Sequence, residues 1–299
     1  MKDFKLNDGP FLKRKHQGPK TKSFGYQVLG FGAGGASDNF IVATGGAITE
    51  DGDYKVHKFT GPGTFAVSSL STCSAYDVVS YAVIGGGGGG GSSDGGNTGG
   101  PGGAGGYREG TTAPVVPYTA SPLVAPAGIT VSVSSYSIAV GGGGAGSPYS
   151  PGQGSAGAVS TFSSITSAGG GFGGAGTPPP GGAGGPGGSG GGGGGGSTNL
   201  KGLGDVPDVT PNQGFPGGQG GRPGPGPGHD QGSGGGGGAE GAGGASPDGN
   251  PGGAGGAHTN SSISGSDTEY SGGSGGATSA PESPGTPGGG GSGAAGSPS

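Results

Sequence analysis

Large apolar residues crowd the first half of the chain in short alternating runs. "FIVAT" (40–44) is a β-branched run closed by Gly45 and Gly46. "AITEDGDYKVHKF" (47–59) carries an acidic turn signal at "EDGD" between two segments of strand composition. "TGPGT" (60–64) reads as a hairpin connector, since Pro62 fixes its own φ and the flanking glycines accept turn conformations. "FAVSS" then places Phe65 and Val67 on one face by a period of two, and "YDVVSYAVIGG" does the same for Val79, Tyr81 and Val83. In "GITVSVSSYSIAVGG" (128–142), Ile129, Val131 and Val133 alternate until Ser135 shifts the phase. Short strands at near-regular spacing predict a small antiparallel β module. No helical periodicity occurs.

After Ile165 this pattern stops. The large apolar side chains beyond it are Phe172, Leu200, Leu203, Val206, Val209, Phe215, Ile263 and Tyr270, too few to enclose a conventional core. Glycine takes over: 92 of 299 residues, with 26 prolines. Its runs have a phase. Residues 99–107 read GGP-GGA-GGY, 181–192 read GGA-GGP-GGS-GGG and 252–257 read GGA-GGA.

Three structures compete for such a sequence. Collagen needs one glycine per triplet without interruption, with proline-rich intervening positions; paired glycines, oligoglycine runs and breaks of phase argue against it. A random-coil linker has no reason to keep a three-residue phase. The polyproline II helix has three residues per turn, so a GGX repeat leaves two of its edges bare. Bare edges let neighbouring helices approach until N–H and C=O groups bond between them, as buried backbone requires. The expected fold is therefore all-β and irregular, with essentially no α-helix: a small antiparallel β module followed by a polyglycine II bundle. The expected segments are a basic arm and anchoring segment (1–35), a β-rich module with a glycine-rich insert (36–168) and the bundle with its loops (169–299).

Charge separates the first of these. Lys2, Lys5, Lys13, Arg14, Lys15, Lys20 and Lys22 against Asp3 and Asp8 give residues 1–22 a charge of +5, leaving −10 for the remainder of a chain whose net charge is −5. Such an arm is a solvated tail or docks on an acidic partner, and the acidic body disfavours nucleic acid. The lone Cys73 excludes an intrachain disulfide framework and reads as a small buried or neutral residue. Met1 is followed by charge rather than an apolar stretch, so no signal peptide is expected. The longest apolar-rich run, "VVSYAVI" (78–84), is too short to span a membrane.

The order "DGDYKVHKFTGPGTFAV", "VVSYAVIGGGGGGG", "GGPGGAGGYREG", "YSIAVGGGGAG" and "AVSTFSSITSAGGG" resembles the glycine-rich domain proteins of tailed bacteriophages, marine and cyanobacterial ones especially, over roughly residues 45–196. The later glycine stretches are similar in style to receptor-binding adhesins at the fibre tips of some T-even-like phages, which fold as polyglycine II bundles with variable loops at one end. The chain departs from those adhesins in having its own strand module and basic arm. The resemblance implies a virion surface protein, a tail-fibre or fibre-tip component, that recognises a host-surface glycan or outer-membrane protein. Release by lysis would then account for the missing signal peptide.

Motifs for catalysis are weak. "GGGGGGGSSDGG" lacks the Lys-Ser/Thr pair and following helix of a phosphate loop. Glu50, Asp51 and Asp53 lack EF-hand spacing and read as a turn. His16, His57, His229 and His258 are scattered, and Gly-Ser pairs abound by composition alone. No enzyme, cofactor or metal is expected. Candidate receptor contacts are Tyr149, Phe172, Phe215, His229 and Tyr270, read as loop residues for which local packing over the bundle ends is the competing role. Candidate virion-attachment residues are Lys13, Arg14, Lys15, Lys20, Lys22, Phe24, Tyr26 and Phe31, which would meet other virion proteins; a homo-oligomer is compatible with this. The alternative function is a capsid or neck decoration protein with a structural role. A cellular matrix or ice-binding protein is disfavoured by the missing signal peptide and disulfides.

Overall fold

The computed structural model describes residues 40–93, 97–112, 118–176, 182–196, 200–221, 231–247 and 251–278. The expected basic arm and anchoring segment lie outside the described residues. Among those described there is no α-helix, only a single 3-10 turn at Ser74–Tyr76.

The strands form because their apolar positions alternate. β1 (Val42–Thr44), β4 (Gly63–Ser69), β10 (Ser135–Ala139), β11 (Ser160–Phe162) and β12 (Ile165–Ser167) make one antiparallel sheet in the order β1-β4-β10-β11-β12. β6 (Tyr81–Ile84), β7 (Tyr107–Gly110) and β8 (Val124–Ala125) make a second sheet, β7 running antiparallel to β6 and parallel to β8, and β5 (Val78–Val79) pairs with β9 (Ile129–Thr130). Phe65, Val67, Tyr81, Val83, Val131 and Phe162 close over one another as the apolar core. Phe65 packs edge-to-face with His57 and Phe162, with ring centroids 5.0 and 5.9 Å away, an arrangement aromatic rings prefer.

Three expectations need correction. "TGPGT" does not close a hairpin: β3 (Tyr54–Lys58) pairs only with β2 (Ala47–Asp51), while β4 pairs with β1 and β10. The "EDGD" turn does close β2 on β3, with Gly52 at a φ of 59° that a side chain would resist. Val133 is 61% exposed, because β9 ends at Thr130 and the chain bends before β10 begins. Cys73 is exposed rather than buried.

The glycine segments are rods with a three-residue hydrogen-bond period. Gly85, Gly88 and Gly91 donate N–H to the carbonyls of Gly106, Gly103 and Gly100 at 3.0, 2.9 and 2.8 Å, so rods 85–93 and 97–106 are antiparallel. Gly170, Gly173 and Gly176 donate to Gly86, Gly89 and Ser92 at 2.8, 2.9 and 2.9 Å, so rod 168–176 runs parallel to the first. The polyglycine II arrangement expected from the GGX phase accounts for this spacing, one bond per turn towards each neighbour. The rods begin at Gly85, so the bundle draws on glycines from both sides of residue 168.

Extending the pairings orders the whole bundle. Rods 85–93, 141–147, 168–176, 189–196, 213–221, 241–247 and 271–278 run one way; rods 97–106, 152–158, 182–187, 200–204, 231–239 and 251–258 run back. Two of them have neighbours on every side. Rod 189–196 donates to rods 213–221 (Gly190 to Phe215, Gly193 to Gly218), 182–187 (Gly191 to Gly185) and 97–106 (Gly192 to Pro101). It accepts from Gly174, Gly234 and Gly202, which belong to rods 168–176, 231–239 and 200–204. Rod 231–239 is likewise enclosed, by rods 271–278, 189–196, 241–247, 251–258, 213–221 and 97–106. These central rods carry the unbroken runs 190–196 and 234–238.

The absent Cβ explains that placement. A Cβ on Gly190, Gly191, Gly192 or Gly194 would stand 2.1, 1.9, 2.3 or 2.1 Å from a carbonyl oxygen of an adjoining rod. In rod 85–93, which has open space on one side, Gly88, Gly89 and Gly91 are blocked at 2.0–2.2 Å, whereas Gly87 and Gly90 have 3.8 and 3.6 Å. Every third position is free on this surface rod, whereas a Cβ on any glycine of 190–196 or 234–238 would meet a neighbour within 3.0 Å. Among the rod glycines only Gly196 has a positive φ, so close approach rather than left-handed backbone is what selects glycine there.

Candidate functional site

Because successive rods reverse, the chain turns at two opposite ends. One end is closed by the strands: 107–112, 118–140, 159–167, 205–212 and 259–270 all lie there, together with the bends near residues 188 and 240. At the other, open end, 148–151 is the link between rods within the described residues. Isolated bridges Ser92–Gly152, Ser93–Gly176 and Asn97–Gln231 tie the rod ends together there.

The strand-capped end is built round two buried polar side chains. Gln213 is fully buried and accepts from the Ala168 N–H at 2.9 Å while donating to the Pro207 carbonyl at 2.7 Å; its own carbonyl takes the Tyr107 N–H at 2.8 Å. Three segments far apart in sequence are held by that one residue. Glu109, 1% exposed on β7, accepts from the Ser121 N–H at 2.9 Å and the Ser261 hydroxyl at 2.7 Å. It thereby joins β7 to β13 (Thr259–Ser261), which pairs with β14 (Thr268–Tyr270). Burial, with the Glu109 charge adding to it, raises the phenol pKa of Tyr107 and of Tyr118 well above the ordinary tyrosine range. Neither Gln213 nor Glu109 was legible as a key residue. Each is a polar residue in mixed sequence beside a rod, with no period to mark it.

The five candidate receptor contacts do not gather in one place. Tyr149 sits in the 148–151 link at the open end and is 77% exposed. Phe172 lies inside rod 168–176, half-buried against rod 182–187, where a Cβ on Gly185 would strike its ring at 2.4 Å. Phe215 is in rod 213–221, its carbonyl accepting from Gly190 and its N–H donating to Gly238. Tyr270 is on β14 at the strand-capped end, its ring 5.7 Å from that of Tyr107. Phe172, Phe215 and Tyr270 are thus rod or strand residues rather than tip residues, because each belongs to a segment whose backbone is paired. His229 and the candidate attachment residues Lys13, Arg14, Lys15, Lys20, Lys22, Phe24, Tyr26 and Phe31 lie outside the described residues.

Tyr149 is displayed on a fastened turn. Its carbonyl accepts from the hydroxyls of Ser147, at 2.9 Å, and Ser92. Ser150 donates to the Ser93 carbonyl, and the Ser92 N–H to that of Gly152 at 2.8 Å. The backbone is held on both sides while the ring projects into solvent. Among the described rod-end residues on this side only Lys201 is charged.

No curated protein and no solved structure matches the chain. A family model described as a glycine-rich domain matches residues 59–299, which takes in β4, the later sheets and every rod. The chain therefore belongs to the glycine-rich domain family, and in this member the glycines form a backbone-bonded bundle closed by strands at one end and open at the other.

Proposed function

We propose that the protein is a phage virion appendage, a tail-fibre or fibre-tip component, that contacts a host-surface receptor through the open end of its bundle. The observation that carries this reading is the division of labour between the ends. The strand-capped end consumes its polar groups internally, as at Glu109 and Gln213. The open end carries the exposed 148–151 link, and the segments between successive rods differ in sequence from one another while the rods repeat. A rigid scaffold presenting loops of varied sequence is the common arrangement of binding surfaces. On this proposal the basic residues 1–22 engage other virion proteins, and no catalytic chemistry is needed.

Immunogold electron microscopy of phage particles, with antibody raised against residues 181–299, tests the reading. Label at fibre or tail tips, together with loss of adsorption when the antibody is added, is the expected result. Label over the head or neck with adsorption intact would replace it by the decoration role.

A further inference from the structure

We propose that the outer face of rod 200–204 is an interface through which two copies of this chain associate side by side and antiparallel. The rod bonds to rods 182–187, 189–196 and 213–221 and, among the described residues, to no other. With three residues per turn, Leu200 and Leu203 lie on one edge of it, about 9 Å apart. Their carbonyls serve the same neighbour, accepting from Gly184 at 2.8 Å and Gly187 at 3.1 Å, and the two residues are 63% and 61% exposed. Val206, also exposed, follows at the next interval of three, its N–H still bonded to the Gly187 carbonyl. Most outward positions of the described rods carry Ala, Pro or Ser instead. One exposed leucine is ordinary. An apolar stripe on consecutive turns of a rod marks an interaction surface.

The charges at its two ends say what covers the stripe. Lys201, exposed on the adjoining edge of the rod, stands towards the open end, and Asp205 and Asp208 follow at the strand-capped end. The Asp205 carboxylate accepts from the N–H groups of Gln213 at 3.2 Å and Val209 at 3.4 Å. Burial, with the Asp208 carboxyl beside it, raises the Asp205 pKa. Among the described residues neither carboxyl has a cationic partner, and Lys201 has no anionic one. A second copy turned end for end lays its leucines against these, brings its Lys201 to this acidic pair and sets its own acidic pair at this Lys201. A copy laid parallel would set lysine against lysine and carboxylate against carboxylate. The face is therefore complementary to itself in the antiparallel sense, which a two-fold contact requires.

The test is sedimentation velocity of the full chain from about 1 to 300 μM, across which monomer should give way to dimer. Leu200→Ser combined with Leu203→Ser should weaken the dimer by roughly tenfold or more, since each change counts twice in a symmetric pair. Val133→Ser, which alters an equally exposed apolar residue at the strand-capped end, should leave it unchanged. Lys201→Glu alone should weaken association by roughly fivefold. Adding Asp208→Lys should restore it, which damage to the fold would not do. Melting temperatures should hold in all these variants, whose altered side chains are exposed. Carbodiimide coupling of mixed isotope-labelled and unlabelled chains, read by mass spectrometry, should join Lys201 of one copy to Asp205 or Asp208 of the other. A chain that stays monomeric throughout, a dimer indifferent to the leucine changes, or a charge swap that restores nothing would overturn the proposal. So would a monomeric chain that floats with phosphatidylcholine vesicles through the same leucines, because the stripe would then meet lipid.

Discussion

Replacing Gly191 by alanine perturbs the bundle at its most enclosed point. The new Cβ would stand 1.9 Å from the Phe172 carbonyl oxygen, short of van der Waals contact by roughly 1.5 Å. That oxygen cannot swing aside, since it accepts the Gly185 N–H at 2.7 Å. Rods 189–196 and 168–176 must separate, which stretches the bonds from Gly171 to Ser189 and from Gly174 to Gly192, now 2.8 and 3.0 Å. Overpacking of this kind costs about 1–3 kcal/mol, and two lost hydrogen bonds about 1 kcal/mol each. The sum, roughly 3–5 kcal/mol, lowers the melting temperature by on the order of 6–20 °C for a domain of this size. Gly87→Ala is the internal control. Its Cβ has 3.8 Å of room and its φ is not positive, so the stiffer residue should stabilise by about 0.4–1 kcal/mol through the unfolded chain. Differential scanning calorimetry of both variants reads the contrast. Equal melting temperatures for Gly191→Ala and Gly87→Ala would refute the reasoning, because a glycine-rich coil has no positions that differ.

Further outcomes follow from the strand-capped end. Glu109→Ala leaves the buried Ser121 N–H and Ser261 hydroxyl without an acceptor, and should cost about 2–4 kcal/mol in a denaturant melt, with Glu109→Gln recovering part of it. Gln213→Ala frees the Ala168 N–H and the Pro207 carbonyl and should cost about 1–3 kcal/mol, with the loss of protection centred on 167–169 and 205–213 in hydrogen exchange. Tyr107 keeps its proton in the folded state above its ordinary value of 10 because it is buried and faces Glu109. The unfolded chain loses that proton first, so stability is flat below pH 10 and falls above it, by about 1.4 kcal/mol per pH unit for this one group. Tyr107→Phe should flatten the alkaline limb of a melting-temperature profile; an unchanged limb would mean that the phenol is not the group responsible.

Much of the strand module could be read directly. Phe65, Val67, Tyr81 and Val83 alternate because one face of each strand is buried, and a period of two records that. The partner of each strand was less accessible. "TGPGT" has the chemistry of a hairpin turn, yet β3 already had its partner across "EDGD", so the turn hands the chain to a different sheet. For the rods, the GGX phase revealed the helix but not its neighbours, since one bare edge looks like another. The unbroken runs were no guide to position either: 190–196 and 234–238 are central, yet the equally unbroken 85–91 lies on a surface rod with Gly87 exposed. The aromatic candidates were harder. Phe172, Phe215 and Tyr270 sit among Gly, Pro and Ser as Tyr149 does, and only the backbone pairing separates a rod residue from a tip residue.

Residue-resolved amide exchange tests most directly whether glycine backbone forms the core of this protein. The N–H groups of 190–195 and 233–238 are all bonded to neighbouring rods, and they should exchange most slowly of all, as slowly as β4 and β10. Gly87 and Gly90, which donate to no other rod among the described residues, should exchange at near-solvent rates beside protected Gly88 and Gly89. Uniformly fast exchange through 190–195 and 233–238, with protection confined to the strands, would contradict the bundle and leave the glycines as tethers.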